Sequence, residues 1–171
     1  MQRIAVDMDG VLADVFAQYL DWDERDTGIR KEREALLGKP ELEAFAGIPQ
    51  YLYTSGFFRS IPLVKDSQAI LQELTKKYEV FVVSAAMEFP QSLPEKLEWL
   101  LEHFPFIDWQ HVVFCGSKQI IKADIMIDDH LKNLNYFKGR TILFSQPHNH
   151  FVQHPKHSRV SSWQEVAELL S

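Results

Sequence analysis

The sequence predicts an α/β fold: a three-layer α/β/α Rossmann-like parallel sheet with a small helical cap inserted after the first strand. Three observations predict it. Short apolar runs alternate with amphipathic helical segments along most of the 171 residues. The runs are apolar on both faces, as in parallel strands covered by helices on each side. One stretch of roughly fifty residues interrupts the alternation, too long for an ordinary loop.

Five runs read as strands: Ile4-Ala5-Val6, Val80-Phe81-Val82-Val83, Val112-Val113-Phe114, Ile125-Met126-Ile127 and Thr141-Ile142-Leu143-Phe144. Each is short and rich in β-branched or aromatic residues, which suit a pleated, buried surface. Helices are expected between them. Lys65 to Lys77 places Ile70, Leu71 and Leu74 at helical spacing, and Ser92 to His103 does so with Leu93, Leu97, Leu100 and Leu101. The start Ser92-Leu93-Pro94-Glu95 offers a cap, an early proline and an acidic first turn. Ser162 to Leu170 reads as a final amphipathic helix with a serine cap.

The interrupting stretch lies between the first strand and the helix near residue 65. Val11 to Trp22 and Arg30 to Leu37 look helical, and Gly38-Lys39-Pro40 and Gly47-Ile48-Pro49 break the chain. The expected division is a core of residues 1–14 and 64–171, with residues 15–63 as a helical cap over the carboxyl ends of the strands.

Composition narrows the function. Hydrophobic residues make up 46% of the chain, enough for a real core. A formal charge of −6 argues against a nucleic-acid polymer or an anionic membrane as partner. A phosphorylated small molecule stays open, because a metal ion and one lysine can reverse the charge locally. Cys115 is the only cysteine, which excludes an intramolecular disulfide. It follows an apolar run and is expected as a buried strand-end thiol. The first twenty residues lack a signal-peptide pattern, and no apolar stretch has the length of a membrane span. These features lead us to expect a soluble, cytoplasmic protein. They leave the oligomeric state open, with a homodimer one option.

The chemistry lies in the acidic residues. Asp7 and Asp9 follow the first strand, and Gly10 permits a tight turn directly after them. Asp128 and Asp129 follow the strand Ile125-Met126-Ile127. Ligands of open parallel sheets bind outside the carboxyl ends of the strands. If the two strands are neighbours, four carboxylates converge, and they repel each other unless a hard cation binds them. Oxygen-only ligation beside a phosphate points to Mg2+. Asp7 and Asp9 alone would be no more than a polar turn; the second pair makes the signal. Ser84 ends the run Val80 to Val83, and Lys118 follows the run Val112 to Phe114. Each alone is an ordinary turn or surface residue. At successive strand ends they complete a phosphate site.

With these residues, the chain resembles the haloacid dehalogenase superfamily of phosphohydrolases. Asp7-Met8-Asp9-Gly10-Val11 is similar to its first motif, Ser84 to its second, Lys118 to its third, and Asp124 with Asp128-Asp129 to its fourth. Within it, the chain resembles the 5'(3')-deoxyribonucleotidase family. The similar segments are Asp7 to Asp14, Gly56-Phe57-Phe58 to Leu63, Lys118 to Asp129, and Ile142-Leu143-Phe144 with His148-Asn149. Two positions depart from that pattern. Ser84-Ala85-Ala86 stands where the family commonly carries Thr-Ser-Pro, and His130 stands where a basic residue is common.

The resemblance implies a mechanism. Asp7 is the expected nucleophile, and Asp9 the acid and then the base. Mg2+ is expected on Asp7, the Asp9 carbonyl and Asp129, with Asp128 as ligand or holder. Ser84, the backbone near Ala85, and Lys118 are expected to hold the phosphate. Phe16, Tyr53, Phe57 and Phe58 are expected as candidates to stack on a nucleobase, although cap core is the plainer reading of each. The substrate expected is a nucleoside monophosphate. Another phosphomonoester such as a sugar phosphate, a phosphomutase, and a non-catalytic nucleotide-binding module are the alternatives. His148, His150, His154 and His157 are irregularly spaced and read as a solvated loop bordering the site, with His148 and Asn149 near the substrate, rather than as a metal site.

Overall fold

The computed structural model describes residues 1–171. Six strands form one parallel sheet in the order β3-β2-β1-β4-β5-β6: β1 Arg3–Val6, β2 Glu79–Ser84, β3 Val112–Phe114, β4 Ile125–Asp128, β5 Arg140–Phe144 and β6 Ser158–Val160. All five expected strands form. The sixth was not expected. Ser158-Arg159-Val160 carries one apolar side chain and pairs only with β5, so it has neither the length nor the periodicity of a readable strand.

The strand order positions the site. β1 pairs with β2 on one side and β4 on the other, with Val6 opposite both Val82 and Ile127. Crossovers therefore leave β1 in both directions, which opens a crevice at the carboxyl ends of the strands. Residues that follow β1 stand between those ending β2 and β4.

Seven helices accompany the sheet: α1 Val15–Thr27, α2 Glu41–Ala44, α3 Ile48–Tyr51, α4 Ser67–Leu74, α5 Leu93–His103, α6 Leu131–Leu134 and α7 Trp163–Leu169. α1 begins at Val15 rather than Val11. Residues 8–13 instead form a tight loop in which the amides of Leu12 and Ala13 both donate to the Met8 carbonyl at 2.9 Å. Asp14 then caps α1 by accepting the Ala17 amide at 3.1 Å. The expected helix Arg30 to Leu37 reduces to one 3-10 turn, Arg33–Leu36. Ser162 caps α7 as expected, accepting the Glu165 amide at 3.3 Å. Ser92 does not cap α5, because it ends a 3-10 turn with helical backbone and its hydroxyl is buried without a partner.

The buried face of α5 also differs from the expected one. Lys96, Trp99 and Leu100 face inward, whereas Leu97 and Leu101 are exposed. The Trp99 indole, fully buried, decides this rotation: its Nε1 donates to the Ile61 carbonyl at 2.7 Å. One helical turn back, the rotation carries Lys96 into the crevice.

Residues 15–63 contain α1, α2, α3 and the 3-10 turn, and no strand. Their apolar side chains, including Phe16, Tyr19, Phe45, Tyr51 and Phe57, share one continuous core with β1, β2 and Trp99. α5 fastens them down through Glu95. Its Oε1 accepts the Gly56 amide at 2.6 Å, and its Oε2 accepts the Phe58 and Arg59 amides at 3.1 Å. No helix is long and apolar enough to cross a membrane.

The Trp99–Ile61 bond predicts that Trp99→Phe, which leaves the Ile61 carbonyl buried and unpaired, destabilises the protein by about 1–3 kcal/mol. Urea unfolding followed by circular dichroism measures it.

Candidate active site

Asp7 follows β1 directly, its amide donating to the Ile127 carbonyl at 2.9 Å. This ladder contact sets Asp7 beside Asp128, the last residue of β4. Both carboxylates are buried. Between them lies the Lys118 ammonium, 2.6 Å from Asp7 Oδ1 and 2.6 Å from Asp128 Oδ2. Lys118 arrives from a 3-10 turn after β3 that Ser117 caps. Burial alone would lower its pKa, but Asp7 and Asp128 outweigh that and raise it.

Both hydrogen bonds of Asp7 fall on Oδ1, from Lys118 and from the Met8 amide at 2.8 Å. Its Oδ2 is left for the cavity. Asp128 has no such freedom. Oδ1 accepts the His130 amide at 2.8 Å, and Asn133 Nδ2 reaches both oxygens at 3.1 and 3.0 Å. With Lys118 on Oδ2, Asp128 is saturated by protein donors.

Asp129 is buried, and its Oδ1 has no hydrogen-bond partner. Its main-chain carbonyl is held from behind by Asn149 Nδ2 at 2.8 Å and by His148 Nε2 at 3.1 Å. His148 and Asn149 therefore border the site by bracing Asp129 and do not themselves line the cavity. Gly10 packs against the Asp129 carboxylate with φ at +79°, so a Cβ there would both strain the backbone and overlap that carboxylate. Gln146 Nε2 donates to the Gly10 carbonyl at 2.6 Å and fixes the turn.

Asp9 pairs with Lys96, which α5 buries beneath it. Lys96 also stands 3.4 Å from the Ser84 hydroxyl and 4.8 Å from the centre of the Phe58 ring. The expected helix face pointed Leu97 inward and so hid Lys96. The signal that could have found it is Trp99, an indole three residues on that belongs in a core.

These residues enclose a cavity of about 330 Å3 lined by Asp7, Asp9, Ser84, Ala85, Lys96, Lys118 and Asp129. Its apolar wall includes Val15, Tyr19, Ile48, Leu52, Phe58 and Phe89. Of the aromatics expected to meet a base, only Phe58 lines it. Phe16 and Phe57 are buried in cap core, Phe16 against Phe45 and Phe57 against Tyr19, Trp22 and Tyr51. Tyr53 is exposed and packs edge-on to Phe89. Asp124 lies at the opposite end of the sheet, where its carboxylate accepts the Arg3 amide at 2.7 Å. Cys115 is buried at the end of β3, as expected, and burial raises its thiol pKa. His157 is a structural residue between Thr141 and Asn135.

The crowding is visible in the titration. Burial, then Asp128, pushes Asp7 up to about 7 against the pull of Lys118. Burial, then Asp7, raises Asp129 well above the carboxylate range. Burial, then Asp9, pushes Glu41 at the cavity rim up to about 7. Burial also holds both flanking histidines neutral at ordinary pH, lowering His148 and bringing His130 to about 4. Asp7, Asp128 and Asp129 each bring a carboxylate oxygen within 4.8 Å of the others. The unpartnered oxygen of Asp129 and the free oxygen of Asp7 form an all-oxygen donor set that fits a hard divalent cation.

Comparison with known proteins agrees with this geometry. The model of the family "5' nucleotidase, deoxy (Pyrimidine), cytosolic type C protein" matches residues 1–171. The chain belongs to this family. It is accordingly a phosphatase with the haloacid dehalogenase-like α/β fold. It is 42% identical over 171 residues to the 5'(3')-deoxyribonucleotidase of Bacillus subtilis, covering 98% of this chain and 97% of that one. The 5'(3')-deoxyribonucleotidase of Bacillus phage SPbeta matches to the same extent. A haloacid dehalogenase-like hydrolase from Streptococcus pneumoniae superposes with a TM-score of 0.63 at 13% identity, covering 100% and 99% of the two chains, and shares the fold.

The raised carboxylates set a pH dependence. Without metal, Asp7 has a folded pKa of about 7, above the unfolded 3.8. Its contribution to stability is therefore full below the unfolded value and is lost as pH rises towards and through 7. A divalent cation competes with the same proton. The gain in Tm on adding magnesium is expected to be larger at about pH 8 than at about pH 5, read by scanning calorimetry.

Proposed function

We propose that the protein is a magnesium-dependent nucleotidase that hydrolyses 5'-phosphates of deoxyribonucleoside or ribonucleoside monophosphates through an aspartyl-phosphate on Asp7. One observation carries the chemistry: Lys118 and the Met8 amide occupy Asp7 Oδ1 and leave Oδ2 without a protein donor in a cavity that Asp7 and Asp9 both line. The names of the 40%-identical relatives support the substrate class, as does a cavity with acidic floor and partly aromatic wall.

In this reading Asp7 Oδ2 attacks phosphorus, and the bond to the leaving oxygen breaks as Asp9 gives that oxygen a proton. Asp9 then takes a proton from the water that attacks the aspartyl-phosphate, releasing inorganic phosphate and restoring Asp7. Ser84 and the Ala85 backbone orient the phosphate, and Lys118 offsets the charge of Asp7 and the phosphoryl oxygens. Asp128 holds Lys118 rather than the metal, since its own oxygens are already bonded. Magnesium would be held by Asp7, Asp129 and the Asp9 carbonyl and, when bound, would supply charge neutralisation for the phosphoryl group.

Lys96 is the ion-pair partner of Asp9 in the free enzyme. A phosphate entering beside Ser84 offers Lys96 a second anionic partner. Phe58, stacked over Lys96, links that event to the cap.

A hydrolysis screen of deoxyribonucleotides, ribonucleotides and sugar phosphates, with and without magnesium, tests the assignment. Activity confined to sugar phosphates would overturn the nucleotidase reading. Asp7→Asn is expected to lower kcat by at least about 10³-fold. Lys96→Met, which removes the cation beneath Asp9, is expected to lower kcat by about 10²-fold.

A further inference from the structure

His130 and His148 take no part in the chemistry above, yet they stack at 4.5 Å between ring centroids with planes 17° apart. His130 follows Asp129 directly, and His148 comes from the 3-10 turn Pro147–Asn149 beyond β5. Both rings turn Nε2 towards the same oxygen, Asp129 Oδ2, at 3.8 Å from His130 and 3.4 Å from His148. These three potential ligand atoms lie within 4.8 Å of one another. His130 is half-exposed, which leaves an approach from solvent.

A second observation concerns the far side of His148. Its Nδ1 is buried without a hydrogen-bond partner and faces Glu41 Oε1 at 3.7 Å. A carboxylate behind the distal nitrogen of a histidine is the arrangement that fixes the tautomer and orientation of metal-ligating imidazoles. Two imidazole nitrogens with one carboxylate oxygen suit a borderline divalent ion, whereas magnesium prefers oxygen alone.

We propose that Asp129, His130 and His148 form a second metal site for a divalent transition ion such as zinc, with Glu41 holding the His148 ring. The binding step balances without redox change. In the free protein the His148 Nε2–H donates to the Asp129 carbonyl at 3.1 Å. On binding, that proton passes to Nδ1, where Glu41 accepts the N–H, and Nε2 gives its lone pair to the ion. Asp129 is shared with the magnesium set, so occupancy of this site inhibits hydrolysis. That consequence rests on the phosphatase reading; the site itself does not.

The test is a cobalt(II) titration of the full chain in millimolar magnesium, which keeps the oxygen-only site filled. Calorimetry and the visible d–d absorption bands are the readouts. The expected result is one equivalent of cobalt bound with nitrogen-ligand bands. His130→Asn and His148→Gln are each expected to weaken binding by at least about tenfold, and Glu41→Gln by about tenfold. Thermal melts in magnesium verify that the variants fold. Equal cobalt affinity in the native protein and folded His130→Asn overturns the site, as does an absence of nitrogen-ligand cobalt bands both with and without magnesium. Hydrolysis without cobalt binding would overturn this site alone. Cobalt binding without phosphomonoester hydrolysis would overturn only the function proposed above.

Discussion

Lys118, 2.6 Å from both Asp7 and Asp128, is the contact on which the site depends. Burying a carboxylate costs several kcal/mol, and burying two side by side costs more through their repulsion. A single ammonium placed between them offsets both. It can do so because β1 and β4 are hydrogen-bonded neighbours, so the residues beyond Val6 and Ile127 stand side by side. The saturated partner, Asp128, then acts as an anchor, and the half-saturated partner, Asp7, keeps one oxygen without a protein donor. Even so, burial and the surplus of negative charge together raise the pKa values of Asp7 and Asp129.

The second organising element is α5. Its consecutive residues Glu95 and Lys96 point to different tasks. Glu95 accepts three amides from the turn that closes the cap, and Lys96 pairs with Asp9 on the floor of the cavity. Arg59, in the same turn, adds ion pairs to Glu98 and Glu102 on the exposed side of the helix. Cap position and the cation that pairs with Asp9 are thus mounted on one rigid rod. Phe58, above Lys96, belongs to both.

The strands and the acidic motif were legible because their signals are local. Five apolar runs needed no tertiary information, and neither did the two acidic pairs that follow two of them; that the pairs meet depended on β1 and β4 being neighbours. What failed failed for physical reasons. β6 borrows its order from β5 and has no pattern of its own. Asp124 lies four residues before Asp128, and a strand carries such a residue to the far end of the sheet. Phe16 and Phe57 satisfy an aromatic-pocket reading and a cap-core reading equally in sequence, and packing chose the core. Leu97 and Leu101 fit a helical stripe as well as Trp99 does, but the larger indole, with an N–H to satisfy, took the interior and brought Lys96 with it.

By itself, the sequence determined the fold class, the phosphatase chemistry and the residues at four strand ends. Strand propensity and the repulsion of paired carboxylates are properties of neighbours along the chain. Only the tertiary structure decided which oxygen of Asp7 is free, that Asp128 is spent on Lys118, that Lys96 faces Asp9, and that His130, His148 and Glu41 converge on Asp129. Those outcomes depend on helix rotation and on which strands are adjacent, and these are set by packing between segments far apart in sequence.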